Sequence, residues 1–225
     1  MKHIAIVVPE GDNNLSSIVG SYKILTRANT YWEARTKRPG FVIELVGTSK
    51  EVTFHRGCFS VRPHTHIDAV SQTNLIIIPS LSHQFDHAVR VNQPLIDWIR
   101  RQYKNGTEVA SICTGAFLLA AAGLLNGRSC STHWAFADDF RARFPQARLQ
   151  PDRLITDELG IYTNGGAYSF LNLMLYLVEK YFDRQTAIDC SKVFQIDPDR
   201  TAQSPFMIFT GQKKHGDSLV QRAQE

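Results

Sequence analysis

Short runs of β-branched and aliphatic residues alternate along this chain with longer stretches whose apolar positions recur at helical spacing. His3–Val8 predicts a first strand, and Leu15–Tyr31 follows with Ile18, Val19, Tyr22, Leu25 and Ala28 on a helical period. Phe41–Gly47 predicts a second strand, and Val52–Phe54 with Phe59–Val61 a hairpin around Gly57. The stretch Asn74-Leu-Ile-Ile-Ile-Pro79 is continuously apolar between its ends, as a central parallel strand covered on both faces requires. Pro94–Tyr103 places Leu95, Ile96, Trp98 and Ile99 on an amphipathic helix that Asn105-Gly106 ends. Thr107–Ile112 is the next strand.

Beyond it the pattern changes. Thr114–Leu125 is nearly all apolar, so a helix there is covered on several sides, and Trp134–Phe144 is a further helix stopped by Pro145. Leu154–Thr156, Asp157-Glu158 and Ile161–Tyr162 read as a hairpin. Ala167–Tyr181 reads as a long helix with a wide apolar face, and Arg184–Ser191 as a shorter one. From Gln195 the chain turns polar, and residues 211–225 read as a linker. Strands alternating with helices predict an α/β fold with a mostly parallel sheet between helical layers, in one domain over residues 1–210.

Composition fits this picture. At 225 residues and 43% hydrophobic content the chain buries a substantial core, and the net charge of +4 comes without strong clustering. No apolar run approaches the roughly 18–20 residues that span a bilayer. The N-terminal apolar run, Ile4–Val8, is too short for a signal-peptide core, so a cytoplasmic location and no membrane partner are expected. The four cysteines, Cys58, Cys113, Cys130 and Cys190, include no CxxC pair and read as free thiols.

The candidate chemistry centres on Ala110-Ser-Ile-Cys-Thr-Gly115. A strand ending at Ile112 and a helix starting near Thr114 force a tight bend that lifts Cys113 clear of the sheet. A helix N-terminus behind it would lower the thiol pKa, and the Thr114 N–H would supply half of an oxyanion hole. A buried, inert cysteine is the plain alternative. His133, in Cys130-Ser-Thr-His-Trp134, is the candidate base, with a helix-cap histidine as its ordinary reading; Asp138, Asp139 and Asp157 are possible orienters. Thr163-Asn-Gly-Gly166 lets backbone approach a ligand at Gly165 and Gly166, or simply makes a capped turn. His64-Thr-His66 and His83-Gln-Phe-Asp-His87 have metal-like spacing, the latter on one helix face. No third ligand is placed and HQFDH lacks the HExxH glutamate, so no metal and no cofactor are expected.

Together the segments ASICTGAFLLAAAGLLNGRSCSTHW, FRARFPQ and ITDELGIYTNGGAYSFLNLMLYLVEKY resemble the ThiJ/PfpI domain of AraC-type transcriptional regulators. AIDCSKVFQIDPDRTAQSPFMIFTGQKKHGD is similar to the segment joining that domain to the regulators' DNA-binding region. The resemblance implies a flavodoxin-like three-layer sandwich of the class I glutamine amidotransferase type with a cysteine elbow. It implies a ligand-sensing, homodimerising module, with DNA contacted only through a C-terminal helix-turn-helix region not in this chain. Cys113 and His133 fall on the superfamily's cysteine and histidine positions. Cys113, Thr114, His133, Ser80, Leu81, Gly165 and Gly166 are the implied binding residues for a small polar effector. Superfamily enzymes commonly carry Gly-Gly after the third core strand and a glutamate near the first strand. Here Ser80-Leu81 follow Pro79, and Glu10 sits in Pro-Glu-Gly-Asp12, a poor match. Recognition is therefore favoured over a cysteine-dependent hydrolase or hydratase, which is the alternative.

Overall fold

The computed structural model describes residues 2–207. The linker expected over 211–225, and the last residues of the expected 1–210 domain, lie outside them. In chain order the elements begin with β1 (His3–Val8), α1 (Leu15–Thr36), β2 (Val42–Gly47), β3 (Val52–Phe54), β4 (Phe59–Val61), β5 (Thr65–His66) and β6 (Leu75–Ile78). Then come α2 (Phe85–Val91), α3 (Gln93–Lys104), β7 (Glu108–Ile112), a 3-10 turn over Cys113–Gly115 and α4 (Ala116–Ala121). After them lie β8 (Ser129–Cys130), a 3-10 turn over Trp134–Phe136, α5 (Ala137–Arg143), β9 (Arg148–Leu149), β10 (Ile155–Glu158) and β11 (Ile161–Asn164). α6 (Phe170–Tyr181), α7 (Arg184–Phe194) and a 3-10 turn over Ser204–Phe206 complete the described chain.

The main sheet runs β10-β11-β7-β6-β1-β2-β5. Its five central strands follow the flavodoxin order, all parallel, and only the edge strand β10 is antiparallel, to β11. Side-chain alternation sorts each strand into two cores. From β1, Ile4, Ile6 and Val8 join one core with α1, α6 and α7, while Ala5 and Val7 join the other, under α2, α3, α4 and α5. In β6, Leu75 and Ile77 face the first and Ile76 and Ile78 the second, so this wholly apolar strand is buried from both sides. The α/β sandwich is thus the expected one. No described helix is long and apolar enough to cross a membrane.

Several boundaries differ from the pattern, each for a local reason. α1 runs past Tyr31 to Thr36, because the first residue to leave the helical region is Lys37, at φ 58°. The apolar stretch after Cys113 opens as a 3-10 turn and is α-helical only over Ala116–Ala121. Gly123, at φ +73°, follows it. α6 begins at Phe170 rather than Ala167. The Ser169 hydroxyl donates to the Gly165 carbonyl, holding the segment before it in a turn. The β10–β11 hairpin turns at Leu159-Gly160, both at positive φ as a tight primed turn requires. The pairs β5 and β8–β9 are two residues long and give no periodic signal.

Candidate functional site

The sheet's carboxyl ends carry the elbow. β7 enters it with Ile112 extended, and Cys113 takes φ 54°, a left-handed conformation that costs a non-glycine residue about 1–3 kcal/mol. The chain then tucks against β6. A Cβ on Gly115 would lie 2.5 Å from the Pro79 carbonyl oxygen and 2.9 Å from that of Ile78, so only glycine closes the turn this tightly.

Thr114 fastens the elbow to the loop after β6. Its hydroxyl donates to the Leu81 carbonyl at 2.8 Å, accepts the Leu81 N–H at 2.9 Å and lies 2.9 Å from the Ser80 hydroxyl. One hydroxyl hydrogen serves Leu81, so the Ser80 hydroxyl donates to Thr114. The Ser80 N–H in turn goes to the Ser17 hydroxyl at 3.1 Å, and the Ser80 carbonyl takes the Asn14 N–H at 2.8 Å. Both N–H groups at the Ser80-Leu81 step are therefore spent inside the protein. Neither is available to an oxyanion.

The Cys113 thiol is buried, and burial raises its pKa above the ordinary value. The Ser80 side chain, the N–H and side chain of Thr114 and the Gly166 N–H lie by the sulfur and oppose that rise without cancelling it. The pKa-lowering helix N-terminus read from the sequence does not prevail. The α-helix behind the elbow has only six residues, and desolvation is the larger effect.

The expected base is also turned to another task. The His133 ring accepts the Ala135 N–H at 3.1 Å, capping the following 3-10 turn, and packs beside Trp134 and Phe136. Burial, with nearby His83, lowers its pKa and keeps the imidazole neutral at pH 7. Among the described residues no hydrogen bond joins His133 to the Cys113 sulfur. Asp138 and Asp139 pair with Arg141 and Arg143, and Asp157 with Lys180, rather than with His133. The Glu10 carboxylate accepts the Thr48 hydroxyl at 2.9 Å, beyond the end of β2. It is not bonded to the cysteine.

Gly165 and Gly166 follow β11 beside the elbow. The Gly165 N–H bonds the Leu154 carbonyl at 2.8 Å, and Gly166 sits at φ +88° with its N–H facing the thiol. His83 lies outside α2, its ring tilted at 49° to Phe136, and so shares no helix face with His87. Among the described residues no three His, Cys, Asp or Glu side chains group to hold a metal ion.

Sequence reasoning missed one residue here, Gln203. It is 1% exposed, and its carboxamide lies against Gly165 and the 131–134 segment. The quoted motif DPDRTAQSPF contains it, but nothing in spacing marks a lone glutamine as buried. A cavity of about 590 Å³ opens between β10, α6, α7 and the 198–201 segment, and Cys113 does not line it.

An elbow residue at positive φ on the fourth strand of a flavodoxin-order sheet narrows the ancestry. The DJ-1/PfpI family model matches residues 20–180. The chain belongs to the DJ-1/PfpI family. Within it, the chain is 33% identical over 119 residues to the HTH-type transcriptional regulator CdhR of Pseudomonas aeruginosa, covering 53% of this chain and 35% of that one. It is 30% identical over 117 residues to an isonitrile hydratase of Pseudomonas putida, covering 51% and 47%. The match thus spans less than half of either relative's length. The solved structure of a protein from Vibrio parahaemolyticus, described as a putative transcriptional regulator, superposes with a TM-score of 0.75 at 28% identity, covering 85% of this chain and 98% of that one.

Proposed function

We propose that this DJ-1/PfpI domain is the ligand-sensing and dimerising part of an AraC-type transcriptional regulator. It binds a small polar metabolite at Cys113, Thr114, His133, Ser80, Leu81, Gly165 and Gly166. DNA contact belongs to a helix-turn-helix region outside this chain. The observation that carries the reading is the consumption of the Ser80 and Leu81 N–H groups by Ser17 and Thr114. A hydrolytic elbow needs preorganised donors aimed at a developing oxyanion, and these two are already bound. A neutral thiol, a capping histidine and the Gly166 N–H recognise polar groups without attacking them.

The likeness to an isonitrile hydratase and the left-handed Cys113 keep one alternative in view, a cysteine-dependent hydratase. A thermal-shift screen of metabolites on wild type and Cys113→Ser separates the two. The sensor reading expects a ligand that raises the melting temperature of both proteins, since binding at a hundred times Kd stabilises by about 2.7 kcal/mol. Turnover that vanishes in Cys113→Ser would install the hydratase reading instead. Sedimentation of the same samples tests the dimer, and a monomer at all concentrations contradicts it.

A further inference from the structure

The segment that leaves α7 returns to the elbow and inserts a side chain beside it. Its backbone is zipped to the 152–154 loop: Leu154 N–H to the Thr201 carbonyl at 3.1 Å and Gln203 N–H to the Asp152 carbonyl at 2.8 Å, around an Arg153–Ala202 bridge. Gln203 then fills a space lined almost wholly by main chain. Its amide nitrogen donates to the Pro151 carbonyl at 2.8 Å and the Thr132 carbonyl at 3.0 Å, with the Ser131 hydroxyl and the Arg153 carbonyl each at 3.3 Å. The Ser131 hydroxyl itself donates to the Arg153 carbonyl at 2.6 Å, so the two amide hydrogens fall to Pro151 and Thr132. The amide oxygen accepts the Trp134 N–H at 3.3 Å. A Cβ on Gly165 would overlap the amide nitrogen, so this glycine makes room for the group.

Two acceptors and one donor in this arrangement match a primary carboxamide. An ammonium group would leave the Trp134 N–H bare, and a carboxylate would turn negative charge onto two carbonyl oxygens. The space also adjoins the elbow: the Thr132 hydroxyl donates to the Cys113 carbonyl at 3.0 Å, while the Thr132 carbonyl accepts the Gln203 amide at 3.0 Å. We infer that this is a primary-amide subsite kept filled by the chain's own Gln203. An effector bearing a carboxamide enters it by displacing that side chain, which frees the 199–207 segment. The effector half rests on the sensor reading above; the subsite itself does not. Ligand entry and segment release are then one equilibrium, and each biases the other by the same free energy.

The test uses Gln203→Ala in the full chain, with propionamide and propionate as probes. Truncation empties the subsite, and loss of buried hydrogen bonds implies tryptic cleavage after Arg200 faster by about tenfold to a hundredfold. Propionamide raises the melting temperature of Gln203→Ala but not of wild type, propionate does not, and cleavage after Arg200 stays fast because the probe fills the subsite without tethering the segment. Wild-type protease resistance in the variant, or equal effects of the two probes, overturns the proposal. Should Gln203→Ala fail to fold, Gln203→Glu gives the same reading. Its segment opens at neutral pH, where the carboxylate faces carbonyls, and closes on acidification; cleavage independent of pH overturns the proposal. Failure of these probes removes the subsite and leaves the sensor reading to the metabolite screen, whereas an empty screen with propionamide rescue does the reverse.

Discussion

The Thr114 hydroxyl holds both backbone groups of Leu81, accepting its N–H at 2.9 Å and donating to its carbonyl at 2.8 Å. A side chain on one strand's exit thereby closes the polar backbone of the neighbouring strand's exit. That one relationship leaves neither backbone group of Leu81 free to meet an oxyanion.

Replacing Thr114 by valine keeps the shape and removes the hydroxyl. The N–H and carbonyl of Leu81 are then buried without a partner. A loss of about 2–4 kcal/mol is expected by urea denaturation, from unmet polar groups at about 1–3 kcal/mol each with partial relaxation. Thr114→Ser retains the bonds and loses about 1 kcal/mol or less of transfer energy for the missing methyl. Equal losses in the two variants would show that packing rather than hydrogen bonding secures the elbow.

Gly115→Ala tests the close approach of the elbow to β6. The added methyl meets two backbone carbonyls, which cannot swing aside like a flexible side chain. Destabilisation of at least about 1–3 kcal/mol follows, as for an overpacked core. A variant as stable as wild type would mean that the elbow sits further from Pro79 than described.

Alkaline pH reads the buried thiols and the tyrosine together. Burial, with the charge of Glu158, pushes Cys130 up to about 12; burial, with Asp189, pushes Cys190 to about 11. Burial also carries Tyr162 to about 12. In the unfolded chain these groups ionise near about 8.5 and 10. The folded state thus holds protons that the unfolded state gives up, and stability present below about pH 8 declines as pH climbs towards 11. Melting temperatures from pH 7 to 11 should fall along that course, and Cys130→Ala should flatten it. A curve flat to pH 11 contradicts the burial of these groups.

Much of this was legible in the sequence, for physical reasons that also mark its limits. Leu-Ile-Ile-Ile in β6 announces a strand buried on both faces, and the patterns around Gly57 and over Leu154–Tyr162 announce hairpins, although the second turns at Leu159-Gly160 with Asp157-Glu158 inside its first strand. The strand-to-helix joint at Cys113 was equally plain, and the family resemblance located the residues around it. Spacing could not tell how electrostatics balance there. It suggested a lowered thiol pKa, where desolvation by the surrounding core outweighs a six-residue helix. It offered His133 as a base, yet Nδ1 is occupied by a backbone N–H two residues on, a bond set by local turn geometry. Gln203 was out of reach because its burial depends on a loop contact about 70 residues away in sequence.

Whether Cys113 recognises a ligand, as proposed, or attacks it is decided by the pH dependence of its alkylation. Iodoacetamide labelling of Cys113, followed by mass spectrometry with exposed Cys58 as reference, should be slow at pH 7 and rise only above the ordinary thiol range, near about 8.5. A labelling rate that has already reached its plateau at or below pH 7 would reveal a thiolate in the resting site and contradict the claim.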